Sequence, residues 1–491
     1  MLVGDLFLGD IDGSEEFKTK ENIENLYFMG VSQKNIDSLV TGKKRYVHGY
    51  KGTGKTSLLK LLENSCIERQ IPFISLSYNK VREDAEIIDE FRRRFKVFSD
   101  VFEEENDKDT TTLTFWKWYL LSLIASKFID NGFSQLIYNT KQSFFRAIAS
   151  VLDMLVVTVD PNGAVSVGLR MQNIYSEEES ESIVQAARNI RYLSNQISQK
   201  LNKKVVVFID EVELTKARST YGIDRTMIKN LILATKYING ITSNLHVLIA
   251  LRDEVIHDLR GDEINKLMDN FGVKLSWWTN PRITVDHPLW RLMFKKIRYS
   301  MVGKENSDLM SDSQLWNRWF PFKIDGRDTW KFFFELTWAR PRDFVRLLSL
   351  MKNKCEQEKS FTRSAYDSAI RAYSNSAYSE ISEEISTLFD DSAMNKLQII
   401  IQQLGLNFTS QEFYDEARIR NLSAPSVILD EIYRVGVVGN HFSGGNRKGQ
   451  WRFFYRNDSV SDFTKAFEIH RALHDALGIK DTFRKSVFYS N

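Results

Sequence analysis

Short apolar runs alternate with amphipathic stretches over residues 1–285 of the chain. Apolar positions recur at helical spacing from Lys55 to about Arg69, and again over about 224–239. The apolar runs between these helices are continuous, as expected of strands covered by helices on both faces. The pattern predicts an α/β fold with a parallel sheet. The expected strands are Arg45–His48, Pro72–Ser77, Lys204–Ile209, His246–Leu251 and, with a weaker pattern, Gly272–Trp277.

The alternation of strands and helices is interrupted between about residues 80 and 190. Residues 113–152 are apolar and aromatic at helical spacing. Apolar and polar positions then alternate on both sides of an Asp-Pro-Asn-Gly turn, which predicts a β-hairpin over 154–168. We therefore expect residues 1–285 to form one core that carries an insertion over about 80–190.

The pattern from about 286 to 353 is helical and aromatic, which predicts a helical lid over 286–360. Linker helices and a small unit are expected over 361–458. In that unit three helices precede a hairpin whose turn lies around Gly444–Gly449, the layout of a winged helix. Residues 459–491 are expected to form a short helical tail. The three helices are Met394–Leu404, Ser410–Arg418 and Ser423–Val435.

Composition adds little to this pattern but excludes several classes of protein. The chain has 67 basic and 64 acidic side chains, a net charge of +3, so any nucleic-acid surface must be local. Its 2 cysteines offer no disulfide framework and no cysteine zinc site. The acidic N-terminus does not resemble a signal peptide, and the most apolar long stretch, Trp116–Ile129, is too short to cross a bilayer. A cytoplasmic protein without a membrane partner is expected.

A glycine-rich turn stands between the first predicted strand and the first predicted helix. It reads GYKGTGKTS and fits the P-loop pattern G-x-x-x-x-G-K-[ST]. Backbone amides of such a turn, together with the helix N-terminus, bind phosphate. Lys55 is expected to reach the β- and γ-phosphates, and the Thr56 hydroxyl to bind Mg²⁺. The predicted nucleotide-binding residues are Gly49, Tyr50, Lys51, Gly52, Thr53, Gly54, Lys55, Thr56 and Ser57.

Two acidic residues follow the most continuous apolar run. Asp210 is suited to holding Mg²⁺ through water, and Glu211 to polarising the attacking water. The insertion over about 80–190 explains why this pair lies so far along the chain from Lys55. Together the two stretches predict a complete site for nucleotide hydrolysis.

Two arginines are candidates for sensing the γ-phosphate. Arg252 follows the fourth predicted strand, where it could read the phosphate or simply cap the strand end. Arg342 lies in the first turn of a helix that begins at Pro341, and it could fold back onto the phosphate or remain exposed to solvent. The residues alone leave both choices open.

The combination of GYKGTGKTS, VVVFIDE, ALRDE and ARPRDFVRLL resembles the AAA+ ATPases. Within that class the chain is similar to the signal-transduction ATPases with numerous domains and to origin-recognition-type ATPases. More narrowly, LFLGDIDGSEEF, YRVGVVGN with WRFFYR, and EIHRALHDALG resemble a family of bacterial P-loop ATPases of poorly defined role. The resemblance implies ATP as the nucleotide, with Arg252 at sensor 1 and Arg342 at sensor 2. It assigns no arginine finger, although Arg218 and Arg225 are the nearest by position.

The main hypothesis is an ATP-binding, ATP-hydrolysing switch that forms homo-oligomers and acts on a separately encoded protein effector. The resemblance makes antiviral defence a plausible setting. One alternative is a DNA-binding initiator or loader, whose predicted wing offers Arg447, Lys448 and Arg452, although the presumptive recognition helix carries Asp430 and Glu431. A nucleotide-binding scaffold with negligible turnover is the other alternative.

Overall fold

The computed structural model of the chain forms two compact units. The sheet unit comprises Gln33–Gly49 and Leu59–Lys274, and the helical unit comprises Met1–Ser32, Tyr50–Leu58 and Leu275–Asn491. The residues that the structure describes are 1–13, 16, 33–78, 105–129, 155–159, 165–169, 190–212, 221–259, 261–278, 284–302, 310–324, 326–385, 389–443, 449–457 and 460–479.

The first part of the chain contains the strands of the sheet unit and the helices between them. The strands are β1 (Tyr46–Gly49), β2 (Phe73–Ser77), β3 (Leu155–Val159), β4 (Val165–Leu169), β5 (Val205–Val212), β6 (Leu245–Arg252) and β7 (Gly272–Lys274). The helices are α1 (Gln33–Thr41), α2 (Lys55–Glu68), α3 (Glu105–Phe128), α4 (Tyr221–Ile238), α5 (Asp253–Asp258) and α6 (Asp262–Phe271). Residues 190–200 are also helical.

The sheet has five parallel strands in the order β2-β5-β6-β1-β7. This confirms the predicted α/β fold, including the weakly patterned strand at Gly272. The side chains of β5 and β6 are almost all buried, which is why both strands read as continuous apolar runs. β6 lies between β1, which leads into the P-loop, and β5, which carries the acidic pair.

β5 extends further than its apolar run predicted. The strand was expected to end at Ile209, but Asp210 is still paired with Ser77 of β2, and the strand continues to Val212. The register of β5 against β6 shifts between Ile209 and Val212. Such an irregularity changes the direction of the side chains at a strand end, and here it falls on the acidic pair.

Helix α3 accounts for residues 113–128 of the predicted apolar stretch over 113–152, and residues 130–152 lie outside the described residues. The helix packs against α4, and the indole nitrogen of Trp116 donates to the carbonyl of Met227 at 2.9 Å. Phe115 and Leu121 are fully buried in the same core.

β3 and β4 pair in antiparallel register as predicted, while the turn residues 160–164 lie outside the described residues. Among the helices that the structure describes, none is long and apolar enough to cross a membrane.

The helical unit contains most of the second half of the chain. Its helices are α7 (Pro288–Met301), α8 (Asp312–Trp319), α9 (Thr329–Leu336), α10 (Pro341–Lys352), α11 (Arg363–Ile385), α12 (Asp391–Leu404), α13 (Ser410–Ile419), α14 (Pro425–Arg434), α15 (Phe454–Asn457) and α16 (His474–Leu477). Its strands are β8 (Lys323–Ile324), β9 (Arg327–Asp328), β10 (Asn407–Phe408), β11 (Val438–Ser443), β12 (Gly449–Arg452) and β13 (Phe467–Ile469).

An aromatic cluster around Trp290 joins α7 to α10. The Trp290 ring contacts Trp316, Phe320, Phe333 and Phe344, with ring centroids between 4.8 and 5.4 Å apart in edge-to-face geometry. Edge-to-face pairs of this kind add to the stabilisation from buried apolar area. The aromatic periodicity seen from 286 to 353 therefore marks one shared core.

The N-terminal segment packs on the same helices. The amide of Val3 donates to the carbonyl of Glu358 at 2.8 Å, and the Lys352 ammonium donates to the carbonyl of Leu6 at 2.8 Å. Glu16 and Lys296 form a buried ion pair at 2.5 Å. Burial lowers the pKa of Lys296, against the pull of the Glu16 carboxylate. The opening residues of the chain are therefore part of the helical unit.

The C-terminal region contains three helices and then an antiparallel pair, in the predicted order. α12, α13 and α14 lie close to their predicted bounds, and β11 pairs with β12, while turn residues 444–448 lie outside the described residues. The tail differs from the expectation of helix alone. Its strand β13 pairs with β10 and β11, which gives a four-stranded sheet in the order β10-β13-β11-β12.

Candidate nucleotide-binding site

The P-loop turns between the end of β1 and the start of α2. Gly52 and Gly54 have backbone φ angles of +81° and +92°. Residues other than glycine rarely adopt this region. A Cβ atom at Gly52 would also lie 3.1 Å from the Cβ of Arg342. Glycine is therefore required at this position both by the backbone angle and by the close approach of a neighbouring side chain.

The carbonyl groups of the loop accept hydrogen bonds from side chains and amides of the helical unit. Tyr50 O accepts from the Thr53 amide at 3.3 Å and from the Lys55 ammonium at 2.9 Å. The three carbonyls that follow have donors from farther along the chain: Lys51 O accepts from Arg340 at 3.1 Å, Gly52 O from the Arg342 amide at 3.4 Å, and Thr53 O from the Trp277 indole at 2.9 Å.

The direction of these carbonyls determines the direction of the amides. In a trans peptide the C=O and N–H groups point in opposite directions. Carbonyls held toward Arg340, Arg342 and Trp277 therefore direct the amides of Gly52 and Gly54 to the other side of the loop, at the N-terminus of α2. Amides converging at a helix N-terminus form an anion-binding cradle.

Lys55, Thr56 and Ser57 begin α2, as predicted. The Lys55 ammonium lies on the Tyr50 carbonyl, so it is held at the loop itself. A Cβ added to Gly13 would lie 2.3 Å from the Ser57 hydroxyl, which shows that the N-terminal segment packs directly against the first turn of α2. No motif or periodicity predicted this contact.

Arg342 and Arg340 differ in how they are held. The Arg342 side chain is 28% exposed and lies 3.4 Å from Glu380 of α11, and its Nε donates to the carbonyl of Ile11 at 3.4 Å. The Arg340 side chain is only 8% exposed and is bound by both oxygens of Asp343, at 2.8 and 3.0 Å. Burial lowers the pKa of Arg340, but the carboxylates of Asp343 and Glu380 outweigh it, and the pKa is raised. Arg340 therefore holds the loop, while the Arg342 guanidinium is more exposed and makes longer contacts.

In the sheet unit, Glu211 is held by the strand next to it. The hydroxyl of Ser77, the last residue of β2, donates to Oε2 of Glu211. The carboxylate of Asp210 accepts from the Glu211 amide at 2.8 Å. Asp210 and Glu211 are both half-buried. Because Ser77 is a polar residue at the carboxyl end of a predicted strand, it could have been suspected from the same positional signal that identified Asp210.

Arg252 is the last residue of β6 and lies directly opposite Gly49 in the pairing of β6 with β1. It is also the N-cap residue of α5, and its side chain makes no capping hydrogen bond. The next residue, Asp253, accepts a hydrogen bond from His48 of β1 at 2.7 Å and lies 3.7 Å from Lys274 of β7. Arg252 is thus placed at the carboxyl end of the sheet beside the strand that leads into the P-loop.

The remaining candidates from the sequence are the two arginines considered for an arginine finger and the basic residues of the predicted winged helix. Arg225 is exposed on α4, whereas Arg218, Arg447 and Lys448 lie outside the described residues. The Arg452 guanidinium lies over the Phe442 ring at 4.4 Å. Arg434, the basic residue of the presumptive recognition helix, is paired with Asp430 at 2.8 Å and Glu431 at 3.4 Å.

These features define the class of fold. A P-loop lies between a parallel strand and a helix, and acidic residues end another strand of the same sheet, as in a P-loop NTPase. Residues 46–271 match the model of the KAP family P-loop domain, and residues 287–382 match the FunZ-associated C-terminal helical domain. The first match agrees with the predicted P-loop ATPase core. The second covers α7 to α10 and most of α11.

Similarity to individual proteins is more distant. The transposon gamma-delta 80.3 kDa protein of Escherichia coli (strain K12) is 23% identical over 428 residues, which cover 81% of this chain and 57% of that protein. This chain thus spans little more than half the length of that relative. The crystal structure of Cdc6p from Pyrobaculum aerophilum aligns over 93% of this chain and 98% of its own, with 10% identity and a TM-score of 0.33.

Proposed function

We propose that the chain binds ATP with Mg²⁺ at its P-loop, hydrolyses it slowly, and uses the bound nucleotide as a regulatory signal. The observation that carries the proposal is the hydrogen bonding of the P-loop carbonyls, because it directs the amides of Gly52 and Gly54 toward the N-terminus of α2, where phosphate would bind. Lys55 and Thr56 stand at the helix start next to these amides.

The side chains have distinct roles in this proposal. The Lys55 ammonium transfers its hydrogen bond from Tyr50 O to the β- and γ-phosphates. Glu211 orients the attacking water and accepts its proton at the carboxylate, which Ser77 holds in place. Bound Mg²⁺ would neutralise phosphate charge, and the Thr56 hydroxyl and Asp210 carboxylate offer the oxygen ligands that this ion prefers.

Binding of a fluorescent ATP analogue tests the first step. Lys55→Ala is expected to weaken binding by about tenfold or more, because a charge-assisted hydrogen bond to phosphate is lost. Lys60→Ala is the matched control, since Lys60 lies on the same helix but pairs with Glu63 at 2.7 Å. Equal effects of the two substitutions, or no binding by the wild-type protein, would contradict the proposal.

The second step is tested by turnover. Glu211→Gln should abolish phosphate release while binding of the analogue is retained, because an amide orients water poorly and accepts no proton. Wild-type protein that binds ATP without measurable turnover would instead favour the nucleotide-binding scaffold.

The regulatory part of the proposal rests on the organisation of the chain. The P-loop carbonyls are bonded to Trp277 and to Arg340 and Arg342 at the start of α10, so a change at the loop can be transmitted to that helix. We propose that the protein forms homo-oligomers, acts on a separately encoded effector, and functions in the cytoplasm, with antiviral defence as the setting. Sedimentation velocity with and without ATP tests the oligomer, and nucleotide-dependent copurification tests the effector.

A further inference from the structure

Four basic side chains in and near the P-loop contact one buried carboxylate, that of Glu380 in α11. The Glu380 side chain is 7% exposed and lies 2.7 Å from Arg346, 3.4 Å from Arg342, 3.9 Å from Lys51 and 4.0 Å from Arg340. Lys51 belongs to the P-loop itself and also lies 3.4 Å from Glu384.

The buried Glu380 carboxylate depends on these basic side chains for its stability. A buried charge is costly unless opposite charges compensate its desolvation. Burial alone would raise the pKa of Glu380, but Arg340, Arg346, Arg342 and Lys51 outweigh it and lower the pKa to about 2. Glu380 is therefore ionised at neutral pH, and its charge competes with any anion that approaches the Arg342 guanidinium.

The arginines differ in how easily they can leave Glu380. Arg340 is bound by both oxygens of Asp343, and Arg346 makes the shortest contact with Glu380 and is 13% exposed. Arg342 is 28% exposed, and its side-chain contacts with Glu380 and Ile11 are both 3.4 Å long. Its own backbone amide is bonded to Gly52 O, so the guanidinium extends from a backbone that is anchored on the P-loop.

We propose that Glu380 is a positioning residue that competes with the γ-phosphate of ATP for Arg342. In the absence of ATP, Glu380 holds the Arg342 guanidinium, and the γ-phosphate of bound ATP draws it away. ADP lacks this phosphate and leaves the pair intact. The contact between Arg342 and α11 thus reports which nucleotide is bound, a role that rests on the proposed ATP binding.

Competition of this kind has a specific signature in binding measurements. Glu380→Gln should strengthen ATP binding by about threefold to tenfold, the size expected when an ion pair of this exposure no longer competes, and should leave ADP binding unchanged. The gain should disappear when Arg342→Ala is also present, because Glu380 acts through that guanidinium. Glu383→Gln is the matched control, since Glu383 is exposed on the same helix.

Several results would overturn the inference. They are an equal change in ATP and ADP affinity, a gain that persists in the double variant, or the same gain in Glu383→Gln. If Glu380→Gln does not fold, Glu380→Asp keeps the charge and lengthens the contact, so a smaller ATP-specific gain is expected. Arg342→Ala alone must also reduce the preference for ATP over ADP. Wild-type protein that fails to bind ATP would refute the proposed function itself, whereas binding without these differences would refute only the role of Glu380.

Discussion

Glu211 has a backbone φ of +57°, in the left-handed region that residues other than glycine rarely adopt. The cost of this conformation is roughly 1–2 kcal/mol for a residue with a Cβ atom. The strained residue carries the carboxylate that Ser77 holds and that we assign to activating water. The unfavourable φ angle therefore positions the Glu211 carboxylate near the end of β5 and lowers the stability of the folded protein.

The cost can be measured by comparing two substitutions that both remove the carboxylate. We expect Glu211→Gly to be more stable to unfolding than Glu211→Ala by about 0.5–1 kcal/mol, because glycine adopts this φ without strain. Chemical denaturation of the two variants gives the difference.

The same pair of substitutions at Asp210 is the control. Asp210 has no positive φ, so Asp210→Gly should be the less stable variant there. A Glu211→Gly variant no more stable than Glu211→Ala would show that the backbone of β5 is not strained.

At the level of elements, the link between α10 and the C-terminal sheet depends on one glycine. The Trp338 indole donates to the carbonyl of Gly436 at 2.9 Å and stacks on His470 with centroids 4.5 Å apart. Gly436 has a φ of +82°, and a Cβ atom there would lie 2.8 Å from the indole nitrogen. The turn after α14 and the connection between α9 and α10 therefore pack closely against each other.

Gly436→Ala should lower the free energy of unfolding by about 2–3 kcal/mol, because it combines an unfavourable φ with a steric clash. Gly478→Ala separates the two effects. Gly478 has a φ of +68° and a ψ of +21°, in the left-handed helical region, with no atom within 4 Å of an added Cβ, so only about 1 kcal/mol should be lost. Thermal unfolding of both variants measures the difference, and equal losses would mean that the indole moves aside without cost.

Periodicity and motif predicted the sheet, the P-loop and the acidic pair, because these depend on residues adjacent in sequence. The contacts that complete the candidate site join distant residues. Nothing near Glu380 in its polar, serine-rich helix indicates that it lies beside Lys51. The strand β13 was missed for a similar reason, since three residues paired with β10 and β11 carry too short a pattern to recognise.

At the level of the whole molecule, the P-loop residues Tyr50–Leu58 belong by packing to the helical unit, although β1 before them belongs to the sheet unit. The division follows from the donors to the loop carbonyls, which come from Trp277, Arg340 and Arg342. A ligand that orders the loop should therefore also order the residues that donate to it.

Hydrogen exchange tests this expectation. Addition of ATP to the Glu211→Gln variant should slow exchange over Tyr50–Leu58 and over the first turn of α10, because the two share hydrogen bonds. Lys55→Ala is the control and should show much smaller effects at an ATP concentration near the dissociation constant of the Glu211→Gln variant. Slowing confined to Tyr50–Leu58 would mean that the carbonyl contacts do not transmit the binding event.

The donors to the P-loop carbonyls also limit how the chain can be divided. The segment that matches the P-loop family model ends at residue 271, before Trp277, Arg340 and Arg342. A fragment that ended at that boundary would contain the whole GYKGTGKTS motif. It would lack the side chains and the amide that donate to the carbonyls of the loop. The motif alone therefore does not determine the backbone orientation of this P-loop, and a graft or truncation would have to include both stretches of sequence.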